Sequence, residues 1–374
     1  MRTSFEKHNI SDITNITYIG FFYDLIKNNV NLNIKDEFGC SYLHYLSDYY
    51  PNIEILSLLI KNHVNINIKD IYHNTPLHLI CSKPKNNNLI EKYIIFLINN
   101  GASIIIKNIN NETPLHCLCL KNPNIKCISF FFKKIKNRKI NINLYEDLFH
   151  YLCKSKYLEN KYIDLLINEG ISPNIKDQNG MTLLHLLCGN FYNFKYIKRF
   201  CNESIDLIAK DNNGRTCLHE NCIYNPDIKC ISFLLKINKK LLNLKDKQKN
   251  NALHLLCANN SSAKCILFLI NKGISIYCTN DNGNNALHLL CMNKPNVKCI
   301  SILINAGIDI KIKNKNKETA LFLLCKTFYK NNNKIKEFKF IKCLSFLIKK
   351  YANINYQDTF YKICKFDLSY KTIC

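Results

Sequence analysis

The sequence lacks the features that identify membrane-spanning and exported proteins. No run of about 18 apolar residues occurs in the 374-residue chain, so no transmembrane helix is predicted. Polar residues interrupt the whole N-terminal stretch MRTSFEKHNISDITNITYIGFF, and we therefore expect no signal peptide. A chain that is not exported keeps its thiols reduced. Its 20 cysteines therefore predict free thiols and a location in the cytoplasm or nucleus.

Motifs of nucleotide-binding and metalloenzyme sites are missing as well. The chain has no G-x-x-x-x-G-K-[ST] loop, no G-x-G-x-x-G fingerprint and no H-E-x-x-H pair. No gap in the repeat pattern described below is long enough to hold an enzyme domain. The sequence thus predicts a non-enzymatic protein with no catalytic residues, no cofactor and no bound metal.

Acidic residues are few: 28 Asp and Glu stand against 52 Lys and Arg, which gives a formal net charge of +24. A strongly positive chain attracts acidic partners. However, Asn alone supplies 56 residues, and Asn, Lys, Ile, Tyr and Phe all have AT-rich codons. Because an AT-rich genome would produce this composition without selection, the charge by itself does not predict a nucleic-acid surface.

The segment NNALHLLC occurs twice, at 250–257 and again at 284–291. Aligning the chain on the His of this segment, which we call the anchor, gives nine copies spaced by 34 to 38 residues. The anchors are His44, His78, His116, His150, His185, His219, His254 and His288, with Phe322 in the ninth copy. A period of this length is typical of proteins built from stacked supersecondary units.

The residues around the anchor predict the same local structure in most copies. Asp or Asn eight residues before it and Gly five before it indicate a tight turn, as in Asp177 and Gly180. Thr three before it is a natural helix N-cap, and Pro two before it, as at Pro76, suits the first helical turn. A second amphipathic segment, such as 296–306, then follows. Each copy is predicted to form a turn, a short helix, a loop, a second helix and an extended return.

This pattern resembles the ankyrin repeat family. The resemblance is carried by NTPLHLIC (74–81), ETPLHCLC (112–119), GMTLLHLLC (180–188) and GRTCLHENC (214–222). It implies an all-α solenoid of about nine helix-turn-helix repeats with β-turn tips. Residues 36–358 are predicted as the repeats, 1–35 as an N-terminal partial repeat and 359–374 as a C-terminal cap or tail. Tetratricopeptide repeats have a similar period, but their Trp and Gly-Tyr pattern is missing.

The chain departs from the family pattern in two ways: Cys stands three residues after the anchor in eight copies, and the loops between the helices are longer. These longer loops, with their bias to Asn, Ile and Lys, resemble those of poxvirus-encoded ankyrin proteins, although AT-rich protists have similar chains. The viral resemblance implies an adaptor directed at a host cell. Many such proteins end in an F-box-like segment that recruits a ubiquitin ligase. The tail of this chain lacks the Leu-Pro start of that segment, so we do not expect ligase recruitment.

The repeated His and Cys could be taken for metal ligands. One copy supplies two ligands, whereas a structural zinc site needs four at about 2.0 to 2.3 Å. Stacked helices lie about 8 to 10 Å apart, too far for neighbouring pairs to share an ion. The family resemblance instead implies that each His bonds the turn backbone and links neighbouring repeats. The recurring Cys are expected to be small buried hydrophobic residues.

Two surface features are candidate binding sites. In the ankyrin family, partners commonly contact the turn tips and the first helix. Apolar and aromatic tip residues cluster in the N-terminal half, and they predict a partner-binding ridge: Phe38, Ile71, Tyr72, Ile109 and Tyr145. Codon bias remains an alternative explanation. Lysine also recurs nine residues before the anchor, as a basic edge: Lys35, Lys69, Lys107, Lys176, Lys210, Lys245 and Lys313. The edge could meet an acidic partner, but a solvated row that aids solubility is the favoured interpretation.

The sequence therefore predicts a non-enzymatic scaffold for protein–protein interaction. The partner is an unidentified protein, acidic or from a host cell, and we expect a monomeric chain that binds no membrane. A basic solenoid that binds nucleic acid is the alternative, and regulation of an enzyme partner is a third hypothesis.

Overall fold

A computed structural model describes residues 15–83, 88–155, 158–189, 194–201, 205–330 and 334–352. Within these ranges the regular structure is helical and contains no strand, as predicted. None of these helices is both long and apolar enough to cross a bilayer. The predicted C-terminal cap, 359–374, and residues 1–14 of the N-terminal partial repeat lie outside the described residues.

The chain divides into two compact units, Met1–Ser172 and Pro173–Cys374, which we call unit 1 and unit 2. In unit 1 a 3-10 helix, Ile142–Tyr145, stands where the fourth turn was expected. Its α-helices are α1 (Asn15–Lys27), α2 (Tyr42–Tyr49), α3 (Ile53–Lys61), α4 (Pro76–Cys81), α5 (Asn88–Asn99), α6 (Pro114–Lys121), α7 (Ile125–Asn137), α8 (Leu148–Lys154) and α9 (Asn160–Asn168).

Unit 2 continues the same alternation of short and longer helices. A 3-10 helix, Lys239–Asn243, precedes its third turn. Its α-helices are α10 (Leu183–Gly189), α11 (Phe194–Phe200), α12 (Cys217–Tyr224), α13 (Ile228–Ile237), α14 (Ala252–Asn259), α15 (Ala263–Asn271), α16 (Ala286–Asn293), α17 (Val297–Asn305), α18 (Ala320–Lys330) and α19 (Lys334–Ala352).

Each unit is a stack of two helical layers. The first helices of successive repeats pack side by side, as α2, α4, α6 and α8 do in unit 1, and the second helices form the other layer. The core lies between the layers and is filled by side chains such as Leu77, Leu115 and Leu253, which are fully buried. Burying one such side chain contributes about 1.5 to 3 kcal/mol. Because a single repeat has one apolar side, its stability depends on its neighbours.

The turns have the predicted construction. Asp70 Oδ1 accepts hydrogen bonds from the N–H groups of Tyr72 at 2.9 Å and Asn74 at 2.7 Å. Five residues before the anchor the backbone is left-handed, with φ +74° at Gly283, where glycine is strain-free. A Cβ added at Gly283 would also lie 3.0 Å from the N atom of Lys315 in the next turn. Gly283 is thus required by conformation and by close packing.

The residue eight before the anchor, which accepts the hydrogen bonds of its turn, depends on a residue of the preceding repeat. The residue eight before the anchor is Asn only where the previous repeat has Asn four before its own anchor. The amide of Asn280 donates to Asn250 Oδ1 at 3.0 Å, and the amide of Asn250 in turn donates to Asp246 Oδ2 at 3.0 Å. Asn314 and Asn284 repeat the first contact at 3.0 Å. An aspartate cannot donate this bond, which explains the pairing.

Asn280→Asp is therefore expected to lower the free energy of unfolding of unit 2 by about 1 to 2 kcal/mol. The new carboxylate would face Asn250 Oδ1, and turning the Asn250 amide would set its oxygen against Asp246. The matched control is Asp211→Asn. The repeat before Asp211 has Met181 at the position of Asn250, the partner of Asn280, so position 211 has no side-chain amide to pair with. Urea denaturation of the full chain, resolved by unit with hydrogen exchange, measures both. An equal effect of the two changes would refute this dependence on the preceding repeat.

Candidate partner-binding site

The anchor histidines lie in the core, and four of them link repeats through a hydrogen bond to a carbonyl of the next repeat. The N–H of Thr75 donates to Nδ1 of His78 at 3.1 Å, so Nε2 carries the ring proton and donates to the carbonyl of Glu112 at 3.1 Å. The same Nε2–carbonyl hydrogen bond, at 3.0 to 3.2 Å, joins three further pairs: His44 to Asn74, His185 to Arg215, and His288 to Glu318. The structure thus gives these rings the linking role that the resemblance implied.

Burial also fixes the charge of these rings. Burial lowers the pKa of His78 to about 4, against the opposing effect of its hydrogen bond to the Glu112 carbonyl. The ring is therefore neutral at pH 7. Among the described residues, no three His, Cys, Asp or Glu side chains come together in a way that could hold a metal ion.

The recurring cysteines occupy buried positions, as predicted. All described members of both sets are buried, and none of them is in a disulfide, from Cys81 in α4 to Cys343 in α19. Burial raises the pKa of Cys127 to about 12 and that of Cys343 to about 11. These thiols are protonated at neutral pH, and a protonated thiol is a poor nucleophile.

Four of the five residues predicted for the ridge lie at exposed turn tips. The exposed fractions are 38% for Phe38, 50% for Ile71, 54% for Tyr72 and 56% for Ile109. The turns are joined by backbone hydrogen bonds, from Ile71 N–H to the Phe38 carbonyl at 3.1 Å and from Ile109 N–H to the Tyr72 carbonyl at 3.0 Å. We call these four residues the tip ridge. They form a connected apolar row on unit 1.

The placement of Tyr145 in this ridge was wrong. The tyrosine is fully buried, and its hydroxyl donates to the carbonyl of Ile104 at 3.0 Å. The fourth repeat replaces the tight turn with the 3-10 helix, which turns Tyr145 inward against His116, with ring centroids 5.8 Å apart. His116 then contacts Asp147 Oδ1 at 2.7 Å, in place of a turn carbonyl.

A groove lies beside the tip ridge, on the side of α2. It has a volume of about 220 Å³ and is open to solvent. Its lining includes Tyr45 and Tyr49 of α2 together with Tyr72, and it contains two carboxylates, Asp48 and Asp70. The sequence interpretation did not include the residues of α2. A signal was available, because the family's partners contact the first helix and Tyr45 directly follows the anchor His44.

The basic edge is exposed at all seven predicted lysines. Some of these lysines also connect repeats. The ammonium of Lys35 donates to the carbonyl of Lys69 at 2.9 Å, and that of Lys176 donates to the carbonyl of Lys210 at 2.7 Å. Hydrogen bonds of exposed ammonium groups contribute little to stability. The contacts nevertheless give the row a local structural role that does not require a ligand.

Comparison with known proteins places the chain in a family. A family model described as ankyrin repeats (3 copies) matches residues 149–246, 221–314 and 253–358, which together span more than half of the chain. A solved structure, the ankyrin repeat domain of Bcl-3, described as a unique member of the IkappaB protein family, is similar at 19% identity and a TM-score of 0.48. That likeness covers 63% of this chain and 98% of that one. No curated protein matches. The chain belongs to the ankyrin repeat family.

Proposed function

We propose that the chain is a non-catalytic scaffold that binds a partner protein through the tip ridge of unit 1. Ankyrin repeats generally mediate protein–protein interaction. The observation that supports this surface is the exposure of Phe38, Ile71, Tyr72 and Ile109 on one connected row of turns. Large apolar side chains at exposed tips add little to folding, whereas the centres of binding interfaces are enriched in aromatic residues.

The distribution of tip residues favours selection over codon bias. Codon bias acts along the whole chain, and Ile, Phe and Tyr are common in both units. The tips of unit 2 are nevertheless polar, with Asn212 and Asn213 in one turn and Lys315 and Asn316 in another. Because codon bias would place apolar tips in both units, an apolar row confined to unit 1 supports a binding surface there.

A host-directed adaptor acting in the cytoplasm or nucleus is the finer form of this proposal. It is supported by the resemblance of the long inter-helix loops, with their bias to Asn, Ile and Lys, to those of poxvirus ankyrin proteins. The described cysteines form no disulfide, which suits a reducing compartment. Binding of nucleic acid by the basic edge is the second candidate, supported by the exposure of all seven lysines.

Affinity capture from eukaryotic cell lysate, with and without nuclease, separates the two candidates. A discrete protein that survives nuclease supports the scaffold. Material that disappears with nuclease supports the basic edge, and its affinity should fall steeply with salt because counterions are released. Mass spectrometry of both samples identifies the captured protein.

The double variant Ile71→Ser, Ile109→Ser is expected to weaken binding of that captured protein at least about tenfold, by removing apolar contact area. Each side chain is half exposed or more, so the folded chain should keep its melting temperature. The control, Gln248→Ser with Asn282→Ser, changes tip residues in two turns of unit 2, six residues before their anchors, and should bind normally. Equal affinity of both variants, measured by calorimetry, would count against the tip ridge.

A further inference from the structure

The groove beside the tip ridge combines aromatic rings with carboxylates, the two groups that bind organic cations. Tyr49 is 59% exposed and Tyr72 is 54% exposed. The carboxylate of Asp48 lies on the same lining. The oxygens of Asp70 already accept hydrogen bonds from its own turn. Asp48 is therefore the carboxylate best placed to meet a ligand.

Two residues of the groove lining already contact a cation from the chain itself, the ammonium group of Lys83. Its ammonium lies 2.6 Å from Asp48 Oδ1 and 5.6 Å from the centre of the Tyr49 ring. An ammonium between a carboxylate and an aromatic face combines an ion pair with a cation–π contact. Both side chains of the ion pair are partly exposed, at 24% for Lys83 and 38% for Asp48. Such pairs are weak, so a competing cation can displace Lys83.

Three carboxylates act on the lining of the groove, although the chain is strongly basic. Burial raises the pKa of the Cys40 thiol to about 11, and the charges of Asp36, Asp70 and Asp48 act in the same direction. Cys40 lies on the groove lining, so three carboxylates act on one point there. His44, on the same lining, has its pKa lowered by burial and adds no positive charge at pH 7. Lys83 forms an ion pair with Asp48, and Lys35 lies close enough to act on His44.

We propose that this groove binds a lysine or arginine side chain of the partner protein. The cationic group takes the place of Lys83 between Tyr49 and Asp48, and its aliphatic stem packs on Tyr72. Apolar residues next to that cation in the partner cover the tip ridge. The inference rests on the proposed scaffold function and adds the charge of the segment that the scaffold recognises.

The test uses blocked pentapeptides, acetyl-Gly-Leu-X-Leu-Gly-amide, titrated into the full chain with the tyrosine rings observed by NMR. X is Arg, Lys, norleucine or Glu. The Arg and Lys peptides should bind at least about fivefold more tightly than the norleucine peptide, and the Glu peptide most weakly. Asp48→Asn should abolish this preference. Lys83→Met should strengthen binding of the Arg peptide about two- to fivefold, because it removes the competing ammonium.

Unit 2 offers a matched control. Lys249 and Asp281 form an exposed pair at 3.0 Å, so Asp281→Asn removes a similar charge elsewhere and should leave peptide binding unchanged. Equal binding of the Lys and norleucine peptides, no binding of any peptide, or no effect of Asp48→Asn would overturn the groove as a cation site. Failure of the scaffold function would be a separate result, because Ile71 and Ile109 do not line the groove. The Ile71→Ser, Ile109→Ser variant therefore reports on the scaffold function and not on the cation site.

Discussion

Lowering the pH from 7.5 to 5 is expected to destabilise the folded chain by several kcal/mol. Burial places the pKa of His78, His219 and His254 at about 4, against an ordinary value of 6.5. Protons therefore bind the unfolded chain first. The stability that neutral rings provide is complete above pH 6.5 and is lost as the pH falls toward 4. Each fully buried ring accounts for about 2 kcal/mol at pH 5.

The loss should be greater in unit 2, where burial lowers the pKa of four anchor rings, than in unit 1, where it lowers that of His44 and His78. His219 and His254 both belong to unit 2, and burial also lowers the pKa of His185 and His288 there. Several such rings together approach the whole stability of a typical domain, about 5 to 15 kcal/mol. Urea denaturation followed by circular dichroism at a series of pH values, with hydrogen exchange to resolve the units, measures this.

His78→Leu isolates one ring within unit 1. The leucine fills a similar volume but removes the bonds to Thr75 and Glu112, so the variant should lose about 2 kcal/mol at pH 7.5. At pH 5 the wild-type chain has lost a similar amount of stability, because keeping the buried ring neutral is then unfavourable. The difference in free energy of unfolding between the wild type and the variant should therefore fall close to zero. His63→Asn is the control, because His63 is exposed and outside the repeat pattern. A constant difference across this pH range would show that the ring's protonation has no role.

The periodic features of the fold could be predicted from the sequence because each repeat encodes them again. The anchor histidine, the Asp and Gly of the turn and the apolar helical spacing act within one repeat or between equivalent positions of two. Eight or nine copies reveal such a pattern, even where Lys249 replaces the turn Gly and adopts φ +60°. Burial of the recurring Cys followed from the same argument.

Features that occur once were not predictable in this way. Tyr145 was grouped with the exposed tip residues, but it stands five residues before its anchor, at the position of the turn Gly in other repeats. The sequence NINLYED forms a 3-10 helix there, and the ring is buried. The groove depends on side chains of two repeats, Tyr49 and Tyr72, meeting beside one carboxylate, and a single repeat does not contain that information. The sequence indicated that the lysines of the basic edge are exposed, but it did not indicate their hydrogen bonds to carbonyls of neighbouring repeats.

Glu220 is a feature whose signal was present but not used. It directly follows the anchor His219, where other repeats have Leu79, Leu255 or Leu289. The structure buries it to 3% exposure, with Oε1 at 3.6 Å from an Arg215 nitrogen. An acidic residue at an apolar repeat position was therefore a sign of a buried carboxyl group.

Glu220→Gln is expected to raise the free energy of unfolding of unit 2 by about 2 kcal/mol at pH 8. Burial raises the pKa of Glu220 to about 7, and Arg215 only partly opposes this. Folding therefore favours the protonated acid. The penalty for ionisation is absent below pH 4.5, grows as the pH rises and is complete above pH 7. Glutamine keeps the shape of the protonated acid and cannot ionise, so the variant should be more stable at pH 8 and equal to the wild type near pH 4.5.

This dependence is opposite in sign to that of the histidines, which makes the two effects separable. The gain from Glu220→Gln grows with pH, whereas the loss from anchor histidines grows as the pH falls. The same change at the exposed Glu54 should alter stability by less than about 0.5 kcal/mol at either pH. Denaturant midpoints of the three chains at pH 4.5, 6 and 8 give the comparison. A variant that is less stable than the wild type at pH 8 would mean that the Arg215 charge holds Glu220 ionised in the fold.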